Sequence, residues 1–489
     1  MAVRTTTPAT PSTSYRAPAA AGAPNLAGVE GVRSTVEEAG EVLEVERYDT
    51  PDLRLATSGI VLAVHRSGDE THWQLDLPDA LDGEQLRVSV PPAGVEGVDP
   101  ELPAELRELV QGVVRGAEVA PVGRIRRVRA RESLRGGNHR EIAEIVRDEV
   151  QLATFGAETT LENWSEATVT TTRPALAAAL QERLAQVGAV PAESSAEAEL
   201  DRLLRRSAPP SPPRKTGRKG SAGEALLTYL GKHTDRLAAA DLAARRDEED
   251  AVHQVRVAAR RIRSALKAYG DLVTGPRPAA LIEELRWLGR ALAGSRDLEV
   301  QEERITLALQ ALPPELVLGS VQAQVTRHFA RAQAEARAAT LAALDGERYA
   351  ALRGALEHFL QDPPLAREAR SKKGLKKPLA KTDKRFERRV AAARKALLAG
   401  EPADVAIHSA RKAGKRARYA TEVAGGDSKG HKAVTSALGE HQDAVVGREV
   451  LRELGARAHV DGENGFTFGV LYGRAAADAA RIEEGLASR

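Results

Sequence analysis

Apolar and polar positions alternate in short runs through the first 200 residues. Val42-Leu43-Glu44-Val45-Glu46, Ile60-Val61-Leu62-Ala63-Val64, Trp73-Gln74-Leu75-Asp76-Leu77, Leu86-Arg87-Val88-Ser89-Val90 and Ile142 to Val146 carry the pattern of strands packed on a core. Helices are predicted over Pro103 to Arg115 and Arg173 to Val187, each opened by a proline or a run of helix formers. From Glu224 onward Ala, Leu, Arg and Glu dominate, with breaks at Gly275-Pro276, Pro313-Pro314, Pro363-Pro364 and Gly425-Gly426. Between Ser207 and Ser221 the chain is rich in Pro, Ser, Gly and Lys and has no periodicity, as an extended linker would. The predicted class is multidomain α+β: a disordered tail over 1–24, a sheet domain over 25–206, a linker over 207–220 and an all-α domain over 221–489.

The all-α part repeats itself. Ala251-Val252-His253-Gln254-Val255-Arg256-Val257-Ala258-Ala259-Arg260-Arg261-Ile262-Arg263 matches Ala406 to Arg418 position for position, and Leu292 to Asp297 parallels Leu438-Gly439-Glu440-His441-Gln442-Asp443. Two similar helical bundles related by approximate twofold symmetry are the simplest architecture for such a duplication.

On a helix His253, Arg256, Arg260, Arg263 and Lys267 share one face, beside an apolar stripe of Val252, Val255, Ala259, Ile262 and Leu266. The second copy repeats the ladder with His408, Arg411, Lys415 and Arg418. Like charges one turn apart repel by a few tenths of a kcal/mol per pair, so the pattern asks for an anionic partner. A carboxylate-rich helix would answer it. A chain of phosphates answers it better, because guanidinium forks grip phosphate oxygens and a repeated charge matches a repeated ligand. Neither His253 nor His408 has a second ligand one turn away, so neither motif builds a metal site by itself. Further basic runs, Arg370 to Lys377 and Lys381 to Arg389, lie between the copies.

Composition narrows the partner. Lys and Arg (71) nearly cancel Asp and Glu (69) over 489 residues, so attraction to a polyanion has to be local. Aromatics make up 3% of the chain, which argues against base stacking on a single-stranded nucleic acid, though not against backbone contacts. Cysteine is absent, excluding disulfides, thiolate metal sites and Cys nucleophiles. No apolar run approaches the roughly 18 residues of a membrane span, and the expected location is cytoplasmic.

The stripe from His253, its copy from His408 and Leu438-Gly439-Glu440-His441-Gln442-Asp443 resemble the CHAD family, the conserved-histidine α-helical domain, over about Ser221 to Arg489. The resemblance implies two antiparallel four-helix bundles around a basic surface or pore that holds inorganic polyphosphate, in association with polyphosphate granules. The contacts it points to are His253, Arg256, Arg260, Arg263, His408, Arg411, Lys415 and Arg418, then Arg261, Lys267, Lys412, Arg416 and Lys432.

The first half is similar to the CYTH family, the triphosphate-tunnel fold, on Tyr48-Asp49-Thr50-Pro51-Asp52-Leu53-Arg54-Leu55-Ala56 and Trp73-Gln74-Leu75-Asp76-Leu77-Pro78. That resemblance implies an antiparallel barrel whose inward Lys and Arg hold triphosphate and whose Glu residues hold Mg²⁺ or Mn²⁺. The family's opening Glu-x-Glu-x-Lys is missing near Tyr15-Arg16-Ala17-Pro18, and Asp76 replaces a phosphate lysine. Trp164-Ser165-Glu166-Ala167-Thr168-Val169-Thr170 keeps one carboxylate of three, and Ala196 replaces a lysine; Glu44 and Glu46 only imitate the metal pair. Arg54, Arg66, Arg87, Arg124, Arg126 and Arg129 remain as cations. The expectation is therefore a non-enzymatic polyphosphate-binding protein with no catalytic residues, metal or cofactor. The alternatives are a metal-dependent triphosphatase and a nucleic-acid binder.

Overall fold

The alternating segments pair into one antiparallel sheet. A computed structural model of the chain describes residues 11–19, 21–78, 86–91, 101–137, 139–156, 159–207 and 212–488. It divides into two units, Met1–Ser211 and Pro212–Arg489. The first contains β1 (Ser12–Pro18), β2 (Ser34–Asp49), α1 (Arg54–Thr57), β3 (Val61–Ser67), β4 (Glu70–Leu77), β5 (Leu86–Val90), α2 (Ala104–Val114), β6 (Ala120–Arg135), β7 (Glu141–Thr154), β8 (Leu161–Thr170), α3 (Pro174–Gln186), β9 (Val190–Pro191) and α4 (Ala196–Ser207).

The sheet order is β5-β4-β3-β2-β6-β7-β8-β1-β9. Among the described residues β5 and β9 are its edges, so the expected closure into a barrel is not part of the described ladder. Tyr15, Ile145, Ala167 and Val169 pack with Leu176, Leu180 and Leu184 of α3. Ile125, Val150, Leu152 and Trp164 pack with Leu200, Leu203 and Leu204 of α4. Strand alternation puts these two sets on opposite faces.

Two boundary expectations need correction. The chain before residue 25 is not simply a tail: β1 pairs with β8 from Ser12↔Thr170 to Pro18↔Trp164, and Tyr15 is buried. Backbone pairing and that one aromatic hold a segment whose composition alone reads as disordered; Met1 to Thr10 lie outside the described residues. The later part of the expected linker also docks. Arg214 pairs with Glu357 and Asp235, and the Lys215 amide donates to the Leu360 carbonyl at 2.8 Å. Residues 208–211 lie outside the description.

The second unit is helical: α5 (Ala222–Arg245), α6 (Ala251–Ala268), α7 (Arg277–Ala291), α8 (Ala293–Gln310), α9 (Val321–Asp345), α10 (Glu347–Gln361), α11 (Lys376–Leu398), α12 (Asp404–Val423), α13 (Lys429–Val460) and α14 (Phe466–Ala487). The repeated stripes are α6 and α12. Across them Tyr269, fully buried, donates to the Ala420 carbonyl at 2.7 Å. The repeated Leu438 motif lies inside the continuous α13, whereas its partner falls where α7 breaks into α8 at Leu292. Residues of α11, α12, α13 and α14 share one core. A second joins Ile305 of α8 and Phe329 of α9 to Leu451 of α13 and Phe468 of α14. The two repeats thus share a distal core, which two separate bundles would not. No helix among the described residues is long and apolar enough to cross a membrane.

Gly414 shows how tightly α12 is held. A β-carbon there would lie 2.5 Å from Thr435 Cγ2 of α13 and 2.8 Å from Phe386 Cε2 of α11. Gly414→Val should therefore lower the unfolding free energy by about 1–3 kcal/mol through overpacking. A urea titration checks this, with a lower midpoint and an unchanged slope.

Candidate polyanion-binding site

Burial of Val255, Ala259 and Ile262 on α6, and of Ile407, Ala410 and Ala417 on α12, leaves each helix only its basic face to present. Because the helices pack together, the two ladders converge. The neighbours that act on Lys415 are Arg260 of α6, Arg411 and Arg418 of α12, and one carboxylate, Asp443 of α13. Partial burial and those cations push its ammonium down to about 7. Arg263 is lowered by burial and by Arg286, Arg260 and Arg416, with Glu283 opposing. Lys267 is lowered by burial and by Arg286, Arg416 and Arg263, and Arg416 by burial and Arg385.

The geometry of the two copies corresponds. Arg256 donates to the Ala293 carbonyl at 3.3 Å. Its counterpart Arg411 lies against Gly439, its Nε 3.5 Å from where a β-carbon would stand. The buried Nε atoms of Arg260 and Arg411 have no hydrogen-bond partner among the described residues, an uncommon state for a buried donor. His408 Nδ1 sits 2.7 Å from Gln442 Oε1, and burial and the neighbouring Lys412, Arg411 and Lys415 disfavour its charged form. His253 is half-buried on the same stripe of α6. Side chains of Ser295, Arg296 and Asp297, opposite it in the repeat, lie outside the description.

Not every candidate joins this cluster. Arg261 ion-pairs with Glu422, meets Tyr229 Oη at 3.2 Å and lies over the Tyr419 ring, which together raise its pKa despite burial. Arg418 donates to the same Glu422 carboxylate at 3.0 Å. Both cations are answered from within. Lys412 and Lys432 are exposed. The structure adds Arg286 of α7 and Arg385 of α11, brought in by helix packing. Their periodicity could not announce it, although Arg385 stands in a basic run.

A separate cluster, Asp404, His441 and Glu483, gathers possible ligand atoms within 4.8 Å of one another. The His441 ring nitrogen already hydrogen-bonds Glu483 at 2.6 Å, an arrangement complete without an ion.

In the sheet unit four of the six arginines singled out in the sequence are matched, while Arg124 and Arg126 enter no ion pair among the described residues. Arg66 pairs with Glu44 and Glu46, Arg87 with Asp76, Arg129 with Asp148, and Arg54 with Asp52. Arg127 and Arg47 reach Glu197 and Asp201 of α4. The strand corresponding to the absent Glu-x-Glu-x-Lys is β1, whose Ser12, Ser14 and Arg16 stand opposite Thr170, Thr168 and Glu166. Glu166, the one carboxylate in that group, accepts from Trp164 Nε1 at 2.7 Å and from Arg16 at 3.3 Å.

The CHAD domain model matches residues 228–452. The chain is 31% identical over 492 residues to an uncharacterized protein of Mycobacterium tuberculosis, a match covering 95% of this chain and 92% of that one. The crystal structure of the CHAD domain from the plant Ricinus communis is 25% identical, covers 56% of this chain and 96% of its own, and has a TM-score of 0.42. A proposed adenylyl cyclase from Hippeastrum, described as having a dominant triphosphatase activity, is 14% identical, with 41% and 97% covered and a TM-score of 0.23.

Lys415 gives the free protein a signature. Its folded pKa lies below the ordinary lysine value of 10.5. Carrying its charge therefore costs stability in full below about pH 7, and the cost fades as pH rises from 7 towards 10.5. Lys415→Met should be more stable than the wild type near neutral pH, with a gap that closes by about pH 10. Urea unfolding across that pH range measures it.

Proposed function

Because the chain belongs to the CHAD-domain family, we propose that it binds inorganic polyphosphate without chemical conversion, on the basic seam where α6 meets α12. The observation that carries this reading is the packing of α6 beside α12, which gathers the two cation ladders and leaves the buried Nε atoms of Arg260 and Arg411 without a hydrogen-bond partner among the described residues. Asp443 and Glu283 are the carboxylates that offset Lys415 and the Arg263–Lys267 pair. Charge held this densely wants an external anion. Orphaned donors on Arg260 and Arg411 suit phosphate oxygens, and the two matching copies suit a ligand that itself repeats. Partners are thus polyphosphate and, by extension, granules that contain it; the choice of polyphosphate over other polyanions rests on the family.

His253, Arg256, Arg260, Arg263, Lys267, His408, Arg411, Lys415 and Arg416 make the contacts, joined by Arg286 and Arg385. Lys412 and Lys432 act at longer range, while Arg261 and Arg418 brace the seam through Glu422. The sheet unit resembles a triphosphate tunnel in which carboxylates already occupy the arginines. A metal-assisted reaction needs several free carboxylates to fix a hard cation; among the described β1–β8 pairs the one carboxylate is Glu166, and Asp148 beside it on β7 is already paired with Arg129.

Affinity for long-chain polyphosphate should fall steeply and linearly on a plot of log K against log salt, as counterions are released. It should drop at least about tenfold in Arg256→Ala/Arg411→Ala, through loss of two charge-assisted contacts. Affinity independent of salt, or unchanged in the double variant, would refute the assignment, as would displacement by equal concentrations of single-stranded nucleic acid.

Binding should also weaken as pH rises through about 7, since phosphate holds Lys415 and His408 in their charged forms and the free protein does not. Lys415→Met should flatten this dependence. For the sheet unit, tripolyphosphate with Mg²⁺ or Mn²⁺ should release no phosphate. Release that disappears in Glu166→Ala would restore the triphosphatase alternative.

A further inference from the structure

We propose that a cavity between α8, α13 and α14 binds a small organic anion with an apolar body and a hydroxyl or amide donor. The cavity holds about 480 Å³, within the roughly 300–1,000 Å³ typical of small-molecule sites. Its floor is Ile305, Leu451 and Leu471, all buried, and its room comes from Gly447 and Ala308, where larger side chains would fill it.

Two features give this hollow chemical direction. Gln301 lies one turn before Ile305 on α8, is 8% exposed, and its Oε1 has no hydrogen-bond partner among the described residues. That oxygen sits 3.5 Å from the β-carbon position of Gly447, a lining residue, and so lies directly behind the cavity wall. A buried amide oxygen left unmatched favours a ligand that brings a donor to it.

The mouth is cationic. Arg481 is paired with Asp478, but Arg474 donates only to the neutral Ala311 carbonyl, at 3.3 Å, and Arg304 enters no ion pair among the described residues. Two uncompensated guanidiniums above an apolar floor select an amphipathic anion. Inorganic polyphosphate is a poor occupant, because its oxygens would lose water against Ile305, Leu451 and Leu471 without gaining partners.

Fluorescence titration of the full chain with 3-hydroxy-2-naphthoate tests the site. Saturable binding is expected, unaffected by excess polyphosphate and weakened at least about tenfold in Arg304→Ala/Arg474→Ala. These surface positions leave the core intact, and Ala308→Trp, checked for folding by circular dichroism, should abolish binding. The hydroxyl-free 2-naphthoate should bind several-fold more weakly, a difference that disappears in Gln301→Leu. Absence of saturation by about 1 mM, equal affinity in the double arginine variant, or displacement by polyphosphate would each overturn the proposal.

Discussion

The helical unit depends on one unfavourable contact: two basic helices, α6 and α12, lie side by side while each buries its own apolar stripe in the core. Val255, Ala259 and Ile262 on one side, and Ile407, Ala410 and Ala417 on the other, bury α6 and α12, and burial brings the flanking cations within reach of each other. Hydrophobic burial at about 25 cal/mol per Å² outweighs repulsion of a few tenths of a kcal/mol per pair, so the fold survives with the repulsion built in. Among the described residues Glu422 relieves it at one end, and Asp443 and Glu283 do so nearby. The remaining unmatched charge is the physical basis for assigning an anion to this seam.

The sheet unit uses the same residue types with the opposite result. β6 carries Arg124, Arg126, Arg127, Arg129 and Arg131, yet it lies inside the sheet between β2 and β7. It tolerates Arg127, Arg129 and Arg131 because Glu197 on α4 and Asp148 and Glu144 on β7 stand opposite, and Arg124 lies over the Phe155 ring. Matched cations support a fold, whereas unmatched ones support a ligand. Counting Arg and Lys cannot tell these cases apart, since the distinction lies in where the carboxylates fall in three dimensions.

That difference also explains what the sequence disclosed. The helical stripe was legible because its spacing is local: period and duplication together located α6 and α12. The pairing of Arg418 with Glu422 is equally local, one turn apart on one helix. Arg286 was hidden because it reaches the seam only when α7 packs beside α6. β6 was missed because its arginines masked strand alternation, and their partners are remote in sequence. β1 was missed because a short polar strand gains its stability from a neighbour about 150 residues away.

The asymmetry of the two repeats ties the seam to the rest of the helical unit. α13 is unbroken over 32 residues, about 48 Å at 1.5 Å per residue, and its distal half presents Leu451, Leu454 and Ala458 beyond the core it shares with α11 and α12. In the first repeat the chain breaks at Leu292, which frees α8 to turn and cover that distal half together with α9. The break therefore supplies the shared core, and in passing leaves the hollow beside Gly447 where the covering is incomplete. Neither repeat can bury its apolar surface without the other. The two cation ladders are consequently held together by apolar packing, with their mutual repulsion offset by folding.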